Sequence, residues 1–202
     1  VAKALPTALN AHSMFAQPRQ AYLLLGVEPE LDCHDPQQAV SALKGARLVV
    51  VLTPFKDGAA GDYADVLLPT APFTETSGSF VNSEGRLQSF TGVVRPLGDA
   101  RPGWKVLRVL GNLLELPGFD YDSSEQVRDE VAPGGEGFVK GLSNGLHSLE
   151  VSLPAPTEAL QRVADVPIYS ADPLARRAAA LQKTVDAMPP TARMNTQTLA
   201  AV

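Results

Sequence analysis

The sequence predicts an α/β fold: a mainly parallel sheet flanked by helices, with an added β-hairpin and peripheral C-terminal helices. Three observations carry this expectation. Two bare apolar runs, Ala21 to Leu25 and Leu48 to Leu52, have the length and composition of strands covered on both faces. The segment between them has helix start and stop signals, so the three make a βαβ unit, whose crossover is nearly always right-handed and whose strands are parallel. A third apolar run, Asp65 to Leu68, follows, and behind it two short runs flank turn chemistry.

Residues up to about Gln20 are Ala-rich with Pro6 and Pro18 and predict a short helix or loop. The first strand ends at Gly26. Asp35 as N-cap, Pro36 at the first helical position, Lys44 in the last turn and Gly45 just beyond bracket the helix. A helical turn near Gly58 to Tyr63 leads into the third strand, read as short and buried, and halted at a sheet edge by Pro69, which has no N–H for a continuing ladder. Gly78 to Val81 and Arg86 to Phe90 then flank Asn82-Ser83-Glu84-Gly85, where Gly85 is expected to take the positive φ that closes a hairpin.

Pro102 opens a helix predicted through Leu116, with Trp104, Leu107, Leu110 and Leu114 on one face and Pro117-Gly118 as its stop. Ser123 and Gln126 have capping-box spacing ahead of a short helix that stops at Pro133. From there to Pro167 the chain is rich in Gly and Pro without periodicity, as in a long surface excursion. Asp172 and Pro173 start a last helix, predicted to run in register through Leu174, Ala178, Leu181, Val185 and Met188 and to dock on the body. The expected organisation is therefore an α/β domain over 1–132, with the excursion and C-terminal helix of 133–202 packing on that same domain.

Composition narrows the function classes. A formal charge of −5 and a pI near 5.2, with no cluster of Lys and Arg, argue against a nucleic-acid surface. No apolar run approaches the roughly 20 residues of a spanning helix, so direct membrane insertion is not expected. Cys33 is the single cysteine, which excludes an internal disulfide and any iron-sulfur cluster held by this chain alone. The start VAKALPTALN, without a methionine or a signal-peptide pattern, and the end just after a Thr-led apolar turn read as a piece of a longer protein.

The run from Ala64 to Pro69, then Glu75, Gly78, Asn82 and the EGRLQ of Glu84 to Gln88, resembles a signature of the molybdopterin oxidoreductase superfamily, which includes formate dehydrogenases and nitrate reductases. Within it the chain is most similar to the G-type large peripheral subunits of bacterial NADH-quinone oxidoreductase, respiratory complex I. That branch is marked by the acidic loop at Glu28 and by the tail VPIYSADPLARRAAALQKT. The resemblance implies a Rossmann-like domain from the C-terminal part of such a subunit, with the iron-sulfur clusters in an N-terminal part outside this chain. It implies no cofactor and no catalytic residue here, a scaffold role beside the electron path from NADH to quinone, other peripheral-arm subunits as partners, and a place on the cytoplasmic side of the bacterial inner membrane. The rival reading is the cofactor-binding domain of a true molybdopterin enzyme of formate dehydrogenase or nitrate reductase type. A free-standing Rossmann-type module would need a glycine fingerprint that is absent, since Gly134, Gly135, Gly137 and Gly141 have the wrong spacing.

In open α/β sheets ligands bind beyond the carboxyl ends of the strands, here Gly26 to Asp35, Thr53 to Asp57 and Pro69 to Gly78. Glu28, Glu30, Asp32 and Asp35 make the first loop a poor cradle for a pyrophosphate. Cofactor-bearing relatives typically show Gly-x-Asn-Pro there, against Gly26-Val27-Glu28-Pro29 here. Glu28, Glu75, Asn82, Arg86 and Gln88 are the candidates for a vestigial pocket. Asp32-Cys33-His34-Asp35 offers four metal-capable side chains, but adjacent residues fan outward and His12 and His147 supply no matching spacing, so it is read as a loop leading to an N-cap. Cys33 as a nucleophile would need a nearby base and a lowered pKa; His34 is adjacent in sequence, but nothing else in the sequence supports that role. Glu75, Glu84 and Arg86 suit acid-base chemistry, or else a hairpin turn in which Arg86 holds loop backbone or pairs with Glu75. Arg176 and Arg177 suit an acidic partner or a solvated face.

Overall fold

The computed structural model describes residues 9–133, 160, 166–189 and 191–200. The chain forms two compact units, Val1–Leu149 and Glu150–Val202. The first contains α1 (Ala11–Ala16), β1 (Ala21–Leu25), α2 (Pro29–Asp32), α3 (Pro36–Lys44), β2 (Leu48–Thr53), a 3-10 turn (Ala59–Asp62) and β3 (Val66–Pro69). The three strands make a parallel sheet in the order β1-β2-β3, with Leu23 opposite Val50 and Val50 opposite Val66. The fold is thus mixed α/β, as the sequence predicts.

One face of the sheet carries the core. Tyr22, Leu24, Val49 and Val51 point into a cluster with Ala39, Ala42 and Leu43 of α3, Phe15 of α1 and Tyr63 from the β2–β3 connection. The hydroxyl of Tyr22 donates to the Met14 carbonyl and accepts the Arg19 N–H, both at 2.9 Å, which ties α1 to β1. Asp35 Oδ1 accepts the Gln38 N–H at 2.9 Å and holds the start of α3.

Three expectations for the sheet fail. Strand β1 is not covered on both faces: Leu23 and Leu25 are 48% and 50% exposed, because both connections pack on the opposite face. Nor is β3 buried, with Val66 and Leu67 each about two-fifths exposed at the margin of the sheet. Pro69 does not halt the ladder either. It sits in β3 opposite Thr53, and the next residue, buried Thr70, bridges in parallel to Arg101. Arg101 N–H donates to the Pro69 carbonyl at 3.3 Å and Ala71 N–H to the Arg101 carbonyl at 2.9 Å. A proline lacks a donor but keeps its acceptor, and the pairing proceeds on that side.

The hairpin forms where expected, from β4 (Gly78–Val81) and β5 (Leu87–Phe90), as a separate antiparallel sheet. Asn82 Oδ1 accepts the N–H groups of Glu84 and Arg86, and Gly85 has φ +81°. The rings of Phe80 and Phe90 stack across it, 5.0 Å apart.

Helix α4 (Gly103–Leu113) stops short of Leu116. Gly111 is its buried residue, and a Cβ there would lie 2.3 Å from the Phe119 ring, so the chain folds back over the last turn with Glu115 at φ +54°. Leu114, expected on the packed face, is the C-cap just before that reversal and is exposed. In α5 (Ser124–Val131) Ser123 Oγ accepts the Gln126 N–H, whereas Gln126 Oε1 reaches the N–H of Asp122, one residue earlier than in a standard capping box.

The second unit contains α6 (Pro173–Arg177), α7 (Thr196–Leu199) and 3-10 turns at Ile168–Ser170, Leu181–Lys183 and Val185–Ala187. The single helix expected from Pro173 to Met188 is broken at Ala178, whose ψ is 93°. Leu174, Val185 and Met188 are exposed, so no buried stripe holds a longer helix, and short helices draw most of their stability from such packing. Gln182 Nε2 instead donates to the carbonyls of Tyr169 and Ala175. The Gly- and Pro-rich excursion falls on 134–159 and 161–165, outside the described residues. Among the described residues no helix is long and apolar enough to cross a membrane.

Candidate functional site

The first loop at the carboxyl end of the parallel sheet begins at Gly26, whose φ of +59° turns the chain out of β1. Pro29 starts α2 and is fully buried, anchoring the loop to the core. Asp32 Oδ2 then folds back to accept the Glu28 N–H at 2.8 Å. A backbone donor of this loop is therefore already satisfied by a carboxylate of the same loop. Glu30 is held from the other side, accepting the hydroxyl of Tyr63 at 2.9 Å. Burial first, and then the bond to Glu30, raise the Tyr63 hydroxyl well above its ordinary pKa and keep it a donor.

Cys33 follows as the C-cap of α2 and is half-buried. Burial, with Asp32 and Glu30 adding to it, pushes its thiol pKa up, which is the opposite of what an activated nucleophile requires. Asp35 is committed to capping α3. Among the described residues no three His, Cys, Asp or Glu side chains are grouped to hold a metal ion.

Beyond β3 the chain forms a cleft of about 620 Å³ between the 3-10 turn Phe73–Glu75, the segment 91–96, the start of α4 and the start of α5. Its charged groups are Arg95, Arg101 and Lys105 against Glu75, Asp122 and Glu125, an even balance. Several are already engaged. Glu75 Oε2 accepts the Leu97 N–H at 3.0 Å, and Arg101 Nη1 donates to the carbonyls of Gly98 and Ala100. Backbone N–H and the Ser123 hydroxyl at the start of α5 hold the Glu125 carboxyl below its usual range. Ser77 and Ser124 hydrogen-bond to each other at 2.8 Å, and Ser124 Oγ donates to the Glu125 carboxylate at 3.3 Å. The arrangement can hold polar groups, but it does not concentrate one sign of charge.

The five residues predicted for a vestigial pocket occupy different places. Glu28 belongs to the first loop and Glu75 lines the cleft. Asn82 and Arg86 lie in the hairpin turn, where Asn82 orders the backbone of Glu84 and Arg86. Gln88, on β5, lines a smaller apolar hollow with Phe73, Phe80 and Phe90. Glu75 does not pair with Arg86; its partner is the Leu97 N–H. Sequence reasoning missed Arg95, Arg101, Trp104 and Lys105. The available signal was the repeated Arg-Pro, since a residue before proline is biased to extended backbone, and Arg101 uses that geometry to bridge Thr70.

Two comparisons bear on this site. The family model for molybdopterin oxidoreductases matches residues 4–113, more than half of the chain. A protein of Staphylococcus aureus (strain MRSA252) named "Putative formate dehydrogenase" is 39% identical over 70 residues, and one of the same name from strain USA300 is 43% identical over 72 residues. Each match covers 35% of this chain and only 7% of the relative's length. The family implies a pterin cofactor with anionic phosphates. The first loop does not fit that group: Asp32 already fills a backbone donor, and Glu28 and Glu30 add like charge.

Proposed function

The chain belongs to the molybdopterin oxidoreductase family, and on that premise we propose that it is a structural domain of the large peripheral-arm subunit of an NADH-quinone oxidoreductase. In this reading it gives folded bulk and contact surface to a complex that passes electrons from NADH to quinone, and contributes no catalytic group of its own. One observation carries the reading: the Asp32 carboxylate accepts the Glu28 N–H within the acidic loop at the carboxyl end of β1, where open α/β sheets bind their ligands. The acidic composition of the loop and the resemblance of residues 166–184 to the complex I branch support it further.

A second reading is favoured by a different observation, the similarity to the two Staphylococcus aureus relatives. It makes this chain part of the cofactor-binding region of a formate dehydrogenase-type enzyme. An antibody against the chain, used to capture its parent from detergent-solubilised membranes, separates the two. Recovery of NADH-quinone oxidoreductase subunits, with molybdenum below stoichiometric amounts, is the expected result. Stoichiometric molybdenum with formate dehydrogenase partners would replace the first reading by the second.

A further inference from the structure

An aspartate followed by glycine is a chemically labile pair. The glycine nitrogen, unhindered by a side chain on its own Cα, can attack the aspartyl side-chain carboxyl and close a five-membered succinimide. The chain has one such pair, Asp57-Gly58, in the loop that leaves the carboxyl end of β2. Every other aspartate is followed by a residue with a side chain, as Asp62 is by Tyr63 and Asp65 by Val66. Asn144-Gly145, which closes the same ring with loss of ammonia, lies outside the described residues.

The fold leaves this pair open and holds it in place. Asp57 and Gly58 are both exposed. The loop is tied before them, where the Phe55 N–H donates to Thr53 Oγ1 at 3.1 Å, and after them, where the Ala64 N–H donates to the Ala60 carbonyl at 2.9 Å. Between these ties the Gly58 N–H has no acceptor among the described residues, so no hydrogen bond has to break before its nitrogen attacks. Gly58 also has φ +147° and ψ 176°, a conformation confined in practice to glycine. A side chain at 58 would protect the bond, but the backbone there admits none. We propose that Asp57-Gly58 is a modification site at which the chain isomerises without an enzyme. The Gly58 nitrogen bonds to Asp57 Cγ, and its proton leaves with the carboxyl hydroxyl as water. Water then returns and breaks one of the two ring C–N bonds. Breaking the bond to Cγ restores aspartate; breaking the bond to the main-chain carbonyl carbon gives isoaspartate, with that carbonyl released as a carboxylate. Composition and charge are unchanged, and no oxidant or reductant takes part. The main chain gains one carbon between β2 and the turn that leads to Tyr63, the residue that holds Glu30. The inference is independent of both functional readings.

Incubation of the folded 202-residue chain in mildly acidic heavy-oxygen water tests the proposal, because each ring opening leaves a heavy oxygen in the residue. Asp62 and Asp99, exposed like Asp57 but not followed by glycine, are the internal controls. Peptide mapping should find at least about tenfold more label at Asp57 than at either, since a loop this open reacts without global unfolding. Part of the label should sit in a product that an aspartate-directed protease no longer cuts before residue 57. Asp57→Glu should abolish both signals, because a glutamyl side chain has to close a larger ring. Equal labelling of the three aspartates would overturn the proposal. So would labelling of Asp57 in the urea-unfolded chain but not in the folded one, which would mean that the loop holds the two groups apart. Gly58→Ala tests the structural half by another measurement: the strained backbone should lower the chemical denaturation midpoint. An unchanged midpoint would overturn the claim that the fold fixes the labile pair.

Discussion

Tyr63 ties the acidic loop to the core of the sheet. It is 8% exposed, packs with the core of the sheet, and donates to Glu30 across 33 residues of sequence. Because burial and that bond raise its pKa, the folded state holds the phenolic proton more tightly than the unfolded one, where tyrosine titrates near about pH 10. This contribution is complete below about pH 10 and is lost as the pH rises through the folded value. Tyr63→Phe should cost about 1 kcal/mol at neutral pH. It should also flatten the alkaline decline expected in urea unfolding, leaving the smaller part that comes from Tyr121, whose hydroxyl bonds to Glu130. An unchanged alkaline profile would remove Glu30 and Tyr63 as the tie between the acidic loop and the core. Gly111 makes a second point at this scale. A methyl group there meets the Phe119 ring, whereas Gly61 has nothing within 4 Å of the same added atom. Gly111→Ala should therefore lower stability by about 1–3 kcal/mol, and Gly61→Ala should not lower it measurably, with chemical denaturation midpoints as the measure.

Elements set by their own sequence were legible, and elements set by distant contacts were not. The bounds of α3 follow from Asp35, Pro36 and Gly45, all local, and β1, β2 and the hairpin follow from short apolar runs and the Asn82 to Gly85 turn. The end of α4 depends on a ring eight residues away and the extension of β3 on Arg101, while in the C-terminal unit Val185 and Met188 are exposed where a longer helix would need a buried stripe. None of these causes is visible in a window of sequence. The same split divides the candidate site: the acidic loop is contiguous and was legible, while the cleft gathers Glu75, Arg101 and Ser123 from three segments. The two sheets should also respond separately to local change. Asp35→Ala removes the α3 cap at a cost of about 1 kcal/mol, and should speed hydrogen exchange through β1 and β2. Asn82→Ala removes the acceptor for two N–H groups in the turn, and should speed exchange in β4 and β5 while leaving β1 and β2 unchanged. Acceleration of both sheets by either substitution would show that they open as one unit.

Over the whole molecule, the charge and the uncovered sheet face act against each other. A formal charge of −5 at pH 7 keeps copies apart, while Leu23, Leu25 and Val66 offer them apolar area to share. Near the pI of about 5.2 the repulsion vanishes and the apolar attraction remains. Light scattering from the 202-residue chain should accordingly rise as the pH falls from 7 toward 5 and recede again on return. The doubly substituted Leu23→Ser, Val66→Ser chain has the same ionisable groups, so its charge follows pH in the same way. It should nevertheless scatter less at every pH in that range, because only the apolar term has been removed. Equal scattering from the two proteins would locate the attraction elsewhere, and the exposed Phe80 edge of the hairpin would then be the next surface to substitute.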